Sequence, residues 1–350
     1  NIIRLLPLLQ KVKTARIRIF LTSRPELPIS LGFSDITDHE YQDLALHEIP
    51  DEVTKHDIRL FLQDRFAKIK HDRNISKDWP SDNVMQELVR MSVPLFISAA
   101  TVCRYIEHSK WEPTRRLEEV LRDQSKYVSR MDKTYLPILT RLLDDQESEK
   151  SEQQQLLQEF RETVGVIILL AVPLPLNALS RFLGIGADQI NNRLSAFRSV
   201  LSIPDDRDQP LRTLHQSFRD FLVRSDTEFH VDKPKKHKDI AQLCLKTMQS
   251  HLKRNICNLE SSGIRIGEID PQSIREHIPP ELQYSCRYWT YHLEQSKASS
   301  SEIEDIAFFL QKHFLHWAEA MAVLGATKEL VRMITLLQAI IPVSYIDSHP

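Results

Sequence analysis

Two polar residues in this sequence stand at the ends of apolar segments, and both carry groups that can recognise an anion. The apolar side chains within residues 16–22 predict a buried strand of a parallel sheet, and Arg24 follows at its carboxyl end. Ligands bind at that edge of α/β sheets, where a fixed guanidinium can hold a terminal phosphate through paired hydrogen bonds. His215 begins a predicted helix whose buried face includes Phe218 and Leu222. Its ring would lie beside the core and could face another subdomain.

Both residues also have ordinary explanations, and so does a third candidate, Pro94. Arg24 can pair with Glu26 at the surface, and His215 can be a core histidine that is satisfied by a backbone carbonyl. Pro94 begins a predicted helix, where proline is favoured for backbone reasons alone. The residues by themselves keep both explanations open.

The elements that would position these residues are mostly helices. Only 7 of the 350 residues are glycine, which favours helices over a fold rich in tight turns. Strands are predicted at 16–22 and 43–49, and a helix with apolar residues at three-to-four spacing is predicted after Pro50. A helix from Pro94 to Ile106 is apolar on almost every face, so we expect it to be central to its subdomain.

Residues 144–155 are acidic and rich in glutamine, which indicates a subdomain boundary. After this boundary, predicted helices at 177–183 and 187–198 flank a Gly-Ile-Gly turn in the proportion of a helix-turn-helix. Residues 200–203 and 211–214 are predicted to pair as a hairpin. A hairpin after a helix-turn-helix makes a winged helix, and we expect helices from there to the end.

Composition argues against nucleic acid and membrane as partners. A net charge of −2 provides no overall positive potential that would attract nucleic acid. The helix at 187–198 has too little positive charge to bind DNA. A DNA-binding regulator is therefore the weakest alternative. The basic run 233–238 is short and contains a proline, so we expect a solvated link between domains. The longest apolar run, 164–176, is too short for a membrane span.

Cysteine and histidine spacing favours neither a disulfide nor a metal site. The 4 cysteines form no C-x-x-C motif and lie in apolar helical patterns, so we expect core residues. With no signal peptide either, the expected compartment is the cytoplasm. His313 and His316 lie one helical turn apart near Glu319, but a metal would need a further ligand from elsewhere. No Ser/His/Asp or Cys/His spacing supports a hydrolase.

Four stretches, in the same order, resemble the nucleotide-binding module of fungal NACHT proteins of the heterokaryon-incompatibility type, which are NLR-like STAND P-loop ATPases. They are residues 20–25 (FLTSRP), 93–96 (VPLF), 174–185 (LPLNALSRFLGI) and 214–222 (LHQSFRDFL). The resemblance covers most of the chain and is densest over 17–222. Four matches in one order are more specific than any single match.

The resemblance implies a role for each candidate residue. Arg24 would be the sensor arginine directed at the γ-phosphate of ATP, and Pro94 would pack on adenine. His215 would contact the β-phosphate of ADP and act as a latch between subdomains. The cofactors implied are ADP and ATP, with Mg²⁺ in the intact protein.

The expected fold is mainly α, with four successive domains. They are the C-terminal part of a P-loop α/β nucleotide-binding domain (1–75), a small helical domain (76–145), a winged-helix domain (156–230) and a second helical domain (238–345).

Two parts of the family's site do not occur in these residues. There is no G-x-x-x-x-G-K-[ST] phosphate loop (Walker A) and no acidic strand end to hold Mg²⁺ (Walker B), so we do not expect this segment to hydrolyse ATP alone. Ser92 and Val93 also replace the glycine that precedes the proline in the family. Because the chain begins with Asn1 and not Met, we expect it to be part of a longer protein.

The implied function is the regulatory half of a signalling switch, closed with ADP and open with ATP, in fungal non-self recognition or programmed cell death, a form of innate immunity. The resemblance further implies self-oligomerisation, an upstream effector domain and downstream WD-type or other repeats. The alternative is a helical scaffold or adaptor that has lost the phosphate loop and binds proteins without nucleotide.

Overall fold

The structure is a computed structural model of the 350-residue chain. It describes residues 18–22, 50–76, 78–108, 112–122, 129–144, 150–195, 197–224, 226–261, 264, 266–296 and 300–340. These residues form 14 α-helices and one two-stranded sheet, which confirms the prediction of a mainly α fold. The chain divides into two compact units, Asn1–Asp57 and Ile58–Pro350.

In the first unit, the described residues are 18–22 and 50–57. Residues 18–22 form no strand, and their apolar side chains are exposed, with 89% of the Phe20 surface accessible. The prediction of a buried strand is therefore wrong for this stretch. A strand must pair its backbone groups with a neighbour, and the described part of this unit contains no strand that could supply one. Arg24 and the predicted strand 43–49 lie outside the described residues.

Five helices surround a first apolar core. They are α1 (Asp51–Arg73), α2 (Asp82–Ser92), α3 (Phe96–Glu107), α4 (Pro113–Arg122) and α5 (Arg130–Asp144). The three-to-four spacing predicted for α1 buries Ile58, Leu62, Phe66 and Ile69. Helix α3 buries seven side chains from Ser98 to Ile106, which confirms its central place.

Pro94 does not begin α3, which corrects the sequence-based prediction. The helix starts at Phe96, and the residue before it, Leu95, has extended backbone angles (φ −104°, ψ 103°). Because Leu95 is extended, Pro94 lies outside the first helical turn, and its side chain is exposed. The preference of proline for that turn therefore does not explain this residue.

A second, continuous core runs from α5 to the last described helix. Its elements are α6 (Lys150–Leu169), α7 (Leu176–Leu183), α8 (Ala187–Ser195), β1 (Leu201–Ser202), β2 (Arg212–Thr213), α9 (Gln216–Arg224), α10 (Lys233–His251), α11 (Pro271–His277), α12 (Pro280–Ser296), α13 (Ser300–Val323) and α14 (Thr327–Ile340). None of the described helices combines the length and apolar character needed to cross a membrane.

The turn and the hairpin around α7 and α8 follow the sequence pattern. Gly184 ends α7 with φ +68°, a left-handed conformation that glycine adopts without strain. Strands β1 and β2 pair antiparallel, with Leu201 opposite Thr213 and Ser202 opposite Arg212. This confirms the predicted pairing of 200–203 with 211–214.

The basic run 233–238 is helical and not a solvated link, so that prediction is wrong. It forms the start of α10, where the Asp232 carboxylate accepts a hydrogen bond from the backbone N–H of Lys235 at 3.0 Å. Pro234 occupies the first turn, where its missing N–H costs nothing. His237, within the run, is fully buried.

Helix α5 contributes to both cores. Ile138 packs in the first core, whereas Tyr135 and Leu139 pack in the second. The hydroxyl of Thr134 also forms a buried hydrogen bond of 2.9 Å with Ser98 on α3. Changes in the packing of either core can therefore reach the other through this helix.

All four cysteines are buried and free, as predicted for core residues. Burial raises the pKa of the Cys103 thiol to about 12. Such a thiol stays protonated near neutral pH and is a poor nucleophile.

Candidate functional site

His215 directly precedes α9 and caps its first turn. Its Nδ1 atom accepts a hydrogen bond from the backbone N–H of Ser217 at 3.1 Å, which satisfies one of the free donors at the helix start. His215 itself is exposed to solvent. Because Nδ1 accepts this bond, the neutral ring carries its proton on Nε2. A donor at Nε2 is the group that a phosphate ligand would need.

Two hydroxyl groups extend this contact into the core. Ser217 Oγ lies 2.7 Å from His215 Nδ1 and 2.7 Å from the phenolic oxygen of Tyr135. Ser217 and Tyr135 are both buried. We call His215, Ser217 and Tyr135 the His215 network; it joins α9 to α5.

Tyr135 is held between aromatic rings of α9. Its ring centroid lies 5.2 Å from that of Phe218 and 5.3 Å from that of Phe221. Burial raises the pKa of Tyr135, and the Asp220 carboxylate raises it further, although the hydrogen bond with Ser217 acts in the opposite direction. The phenol therefore stays protonated and can donate to Ser217.

Pro94 follows Val93, which lines a depression of about 190 Å³ together with Arg90, Met91 and Lys133. This volume is below the 300–1,000 Å³ or so that is usual for small-molecule pockets. Arg90 already pairs with Glu87, with Nε 2.8 Å from one carboxylate oxygen, and this hydrogen bond lowers the pKa of Glu87. An anion in the depression would have to compete with Glu87 for Arg90.

The structure places two of the three predicted residues next to the same helix. Lys133 of α5 lines the depression beside Pro94, and Tyr135, two residues further on, belongs to the network of His215. Arg24 lies outside the described residues, so its relation to this helix stays a prediction.

Sequence reasoning missed Tyr135 and Lys133. Tyr135 is 82 residues from Ser217 in sequence, and no local pattern links residues so far apart. Ser217 was within a recognised stretch, but its role was not predicted. The position of Ser217 two residues after His215 could have indicated the capping contact, since caps bond to the second or third helical N–H.

A second histidine network lies deep in the second core. His237 Nδ1 lies 2.7 Å from His292 Nδ1, and His292 Nε2 lies 2.6 Å from the phenolic oxygen of Tyr284. That oxygen also accepts the backbone N–H of Ala171 at 3.0 Å. Both histidines have no exposed surface. We call His237, His292 and Tyr284 the His292 network; it joins α10 to α12.

Hydrogen-bond satisfaction fixes the protons of the His292 network. The fewest buried groups lack partners if Tyr284 donates to His292 Nε2 and His292 Nδ1–H donates to His237 Nδ1. His237 Nε2 is then a buried donor that has no hydrogen-bond partner among the described residues. Burial lowers the pKa of both rings, and the charges of Lys233 and Arg219 lower that of His237 further, so both rings are neutral.

The histidine pair on α13 is part of the packing. His313 is buried and stacks on Phe309 with ring centroids 5.5 Å apart. Glu319 accepts hydrogen bonds from the backbone N–H groups of Asn255 and Ile256 at 3.1 and 3.0 Å. Within the part of the chain that the structure describes, no group of three or more histidine, cysteine or acidic side chains could hold a metal ion.

Comparison with known proteins gives a distant similarity. The chain is 22% identical to the vegetative incompatibility protein HET-E-1 of Podospora anserina over 317 residues, which cover 81% of this chain. The chain spans 22% of the length of that protein. No family model matches the chain, and no solved structure matches it.

Proposed function

We propose that this chain is the regulatory part of a NACHT-type, nucleotide-dependent switch that acts in fungal non-self recognition. The observation that carries the proposal is the position of His215, which has an Nε2 donor and lies where α9 meets α5. Because α5 belongs to both cores, a ligand bound by His215 can influence how they pack. The similarity to a vegetative incompatibility protein over 81% of the chain supports the same class.

In this proposal, His215 acts as a latch. When ADP is bound, Nε2–H donates to the β-phosphate and holds the segment α7–α9, read as a winged helix, in the closed state. A hydrogen bond to a charged group contributes about 1.5–3 kcal/mol. That free energy shifts a closed–open equilibrium by roughly tenfold to a hundredfold. Exchange of ADP for ATP would release the segment and permit self-oligomerisation.

Two further residues take roles in the same proposal. Pro94, exposed beside the depression, would pack on adenine, and Arg24 would bind the γ-phosphate of ATP. The phosphate loop and the Mg²⁺ site would come from another part of the intact protein, as would an effector domain and repeats. These parts follow from the family resemblance.

Nucleotide extraction from the full-length protein tests the proposal. The protein is purified without added nucleotide and denatured, and the supernatant is analysed by ion-exchange chromatography. We expect ADP in near-stoichiometric amount. A protein that is folded and free of nucleotide, and that also fails to bind added ADP, would contradict the proposal and favour the scaffold alternative.

Arg24→Ala tests the sensor role separately. We expect this variant to bind ADP as the wild type does but to respond more weakly to ATP, because the lost guanidinium would contact only the γ-phosphate. Arg18→Ala, which removes an exposed arginine from the same stretch, is the matched control. Equal losses of ADP and ATP binding in Arg24→Ala would refute the sensor role.

A further inference from the structure

We infer that Tyr135 and Ser217 are positioning residues that fix the orientation and tautomer of His215 and couple it to α5. The identity of the ligand, ADP, rests on the proposed function, whereas the hydrogen bonds among the three residues do not depend on it. Ser217 contacts the His215 ring and Tyr135 contacts Ser217, and neither is expected to contact a bound nucleotide.

The backbone N–H of Ser217 sets the direction of the described hydrogen bonds that link His215, Ser217 and Tyr135. The N–H of Ser217 donates to His215 Nδ1, so Nδ1 has no proton of its own in the neutral ring. The Ser217 hydroxyl, 2.7 Å from Nδ1, must then donate to it as well. Its oxygen is left to accept, and the protonated Tyr135 phenol at 2.7 Å is the donor. Each bond polarises the next, which strengthens the hold on the ring.

This direction of donation links the ring to the packing of α5 against α9. The Tyr135 ring is only 2% exposed and contacts Phe218 and Phe221, so the phenol can move only if α5 and α9 move apart. If they separate, Ser217 loses its donor and its hydroxyl can rotate away from Nδ1. The histidine would then lose the bond that orients Nε2–H towards a ligand.

The neighbouring residue on α5 provides a matched control. Thr134 forms a hydroxyl–hydroxyl bond of 2.9 Å with Ser98 on α3, and both residues are buried. Ser98→Ala therefore removes a buried hydroxyl bonded to the same helix but not part of the His215 network. Any general loosening of α5 should appear in this variant as well.

Nitrogen NMR of the histidine rings tests the inference on the 350-residue chain without nucleotide. The protein is labelled with ¹⁵N-histidine, and the His215 signals are identified by their absence in His215→Gln. In the wild type, we expect Nδ1 to resonate as an unprotonated, hydrogen-bonded nitrogen and Nε2 as a protonated one. Ser217→Ala should move Nδ1 towards the position of an unbonded nitrogen, and Tyr135→Phe should move it less in the same direction. Ser98→Ala should leave it unchanged.

ADP binding by the full-length protein provides the second readout. Loss of one hydrogen bond to the ring should lower ADP affinity by roughly two- to tenfold in Ser217→Ala and by less in Tyr135→Phe. Ser98→Ala should bind ADP as the wild type does. If Ser217→Ala does not fold, Tyr135→Phe carries the test, because it keeps the ring and loses only the hydroxyl.

The outcomes separate this inference from the proposed function. A protonated Nδ1 in the wild type, or a shift in Ser98→Ala as large as that in Tyr135→Phe, would overturn the inference. So would unchanged Nδ1 signals in both Ser217→Ala and Tyr135→Phe. If the predicted NMR order holds and neither the wild type nor any variant binds ADP, the network stands and the proposed ligand is wrong.

Discussion

The two histidine networks described above both combine histidine with a buried tyrosine, but their histidines lie at different depths. In the His292 network, both rings are fully buried between α10 and α12, and every bond runs within one core. In the His215 network, the histidine is exposed to solvent, and the bonds run from α9 to a helix shared by two cores. We expect the first arrangement to serve stability, and we propose that the second also responds to a ligand.

This difference shows that the burial and hydrogen-bond partners of a histidine describe its environment better than the neighbouring residues in the sequence do. His237 lies in a basic run and has two cationic residues near it, yet its ring is neutral and shut off from solvent. His215 lies in an aromatic stretch, yet its ring is the more accessible one. The comparison can be tested by making the same change in both networks.

The largest expected effect is that of His292→Ala. This substitution leaves a cavity and removes partners from Tyr284 and His237, so we expect the free energy of unfolding to fall by about 3–5 kcal/mol. His215→Ala should cost about 1 kcal/mol, the usual cost of a lost helix cap. Urea unfolding at neutral pH measures both. Equal losses in the two variants would remove the distinction between the networks.

Acid should destabilise the protein through the His292 network. Burial lowers the pKa of both rings in the folded chain, whereas histidines in the unfolded chain take up protons below about pH 6.5. Below that pH the unfolded state binds more protons, so stability is full above it and falls as the pH falls. The slope should reach up to about 1.4 kcal/mol per pH unit for each ring.

Urea midpoints from about pH 7.5 to about pH 5 measure this slope. His292→Ala should make it shallower, because one of the two neutral rings is removed. His230→Ala, which changes an exposed histidine, is the control and should keep the wild-type slope. A slope that is the same in His292→Ala and the wild type would show that these rings do not govern the acid response.

A smaller effect is expected from removing one hydroxyl in each network. Tyr284→Phe loses the bond with His292 and the acceptor for the Ala171 N–H, so we expect a cost of about 2 kcal/mol. Tyr135→Phe loses one bond and should cost about 1 kcal/mol. Thermal or urea unfolding gives both values. The reverse order would mean that the His215 network is the more important for stability.

Several local elements could be predicted from the sequence, but the long-range contacts could not. The apolar spacing of α1 and the hairpin 201–213 depend on neighbouring residues, and both were predicted. The partners in the networks are 82 residues apart for Tyr135 and Ser217 and 55 apart for His237 and His292. Periodicity carries no information about such pairs.

Besides the strand predicted at 16–22, two local predictions failed because the backbone follows neighbours that the pattern ignores. The start of α3 is displaced from Pro94 because Leu95 is extended, and the run 233–238 is helical because Asp232 caps it. Of the three candidate site residues, His215 caps α9 and is connected to Tyr135 through Ser217. The nucleotide roles of His215, Pro94 and Arg24 stay predictions.

The most direct test of the latch is the ADP content of full-length His215→Ala. We expect this variant to lose the ADP that the wild-type protein retains through purification and to signal without a stimulus, whereas His230→Ala should retain ADP. The modest stability cost expected for His215→Ala means that lost ADP would not reflect unfolding, and urea unfolding checks this. If His215→Ala retains as much ADP as the wild type and His230→Ala, the ring does not hold the nucleotide, and the latch is wrong.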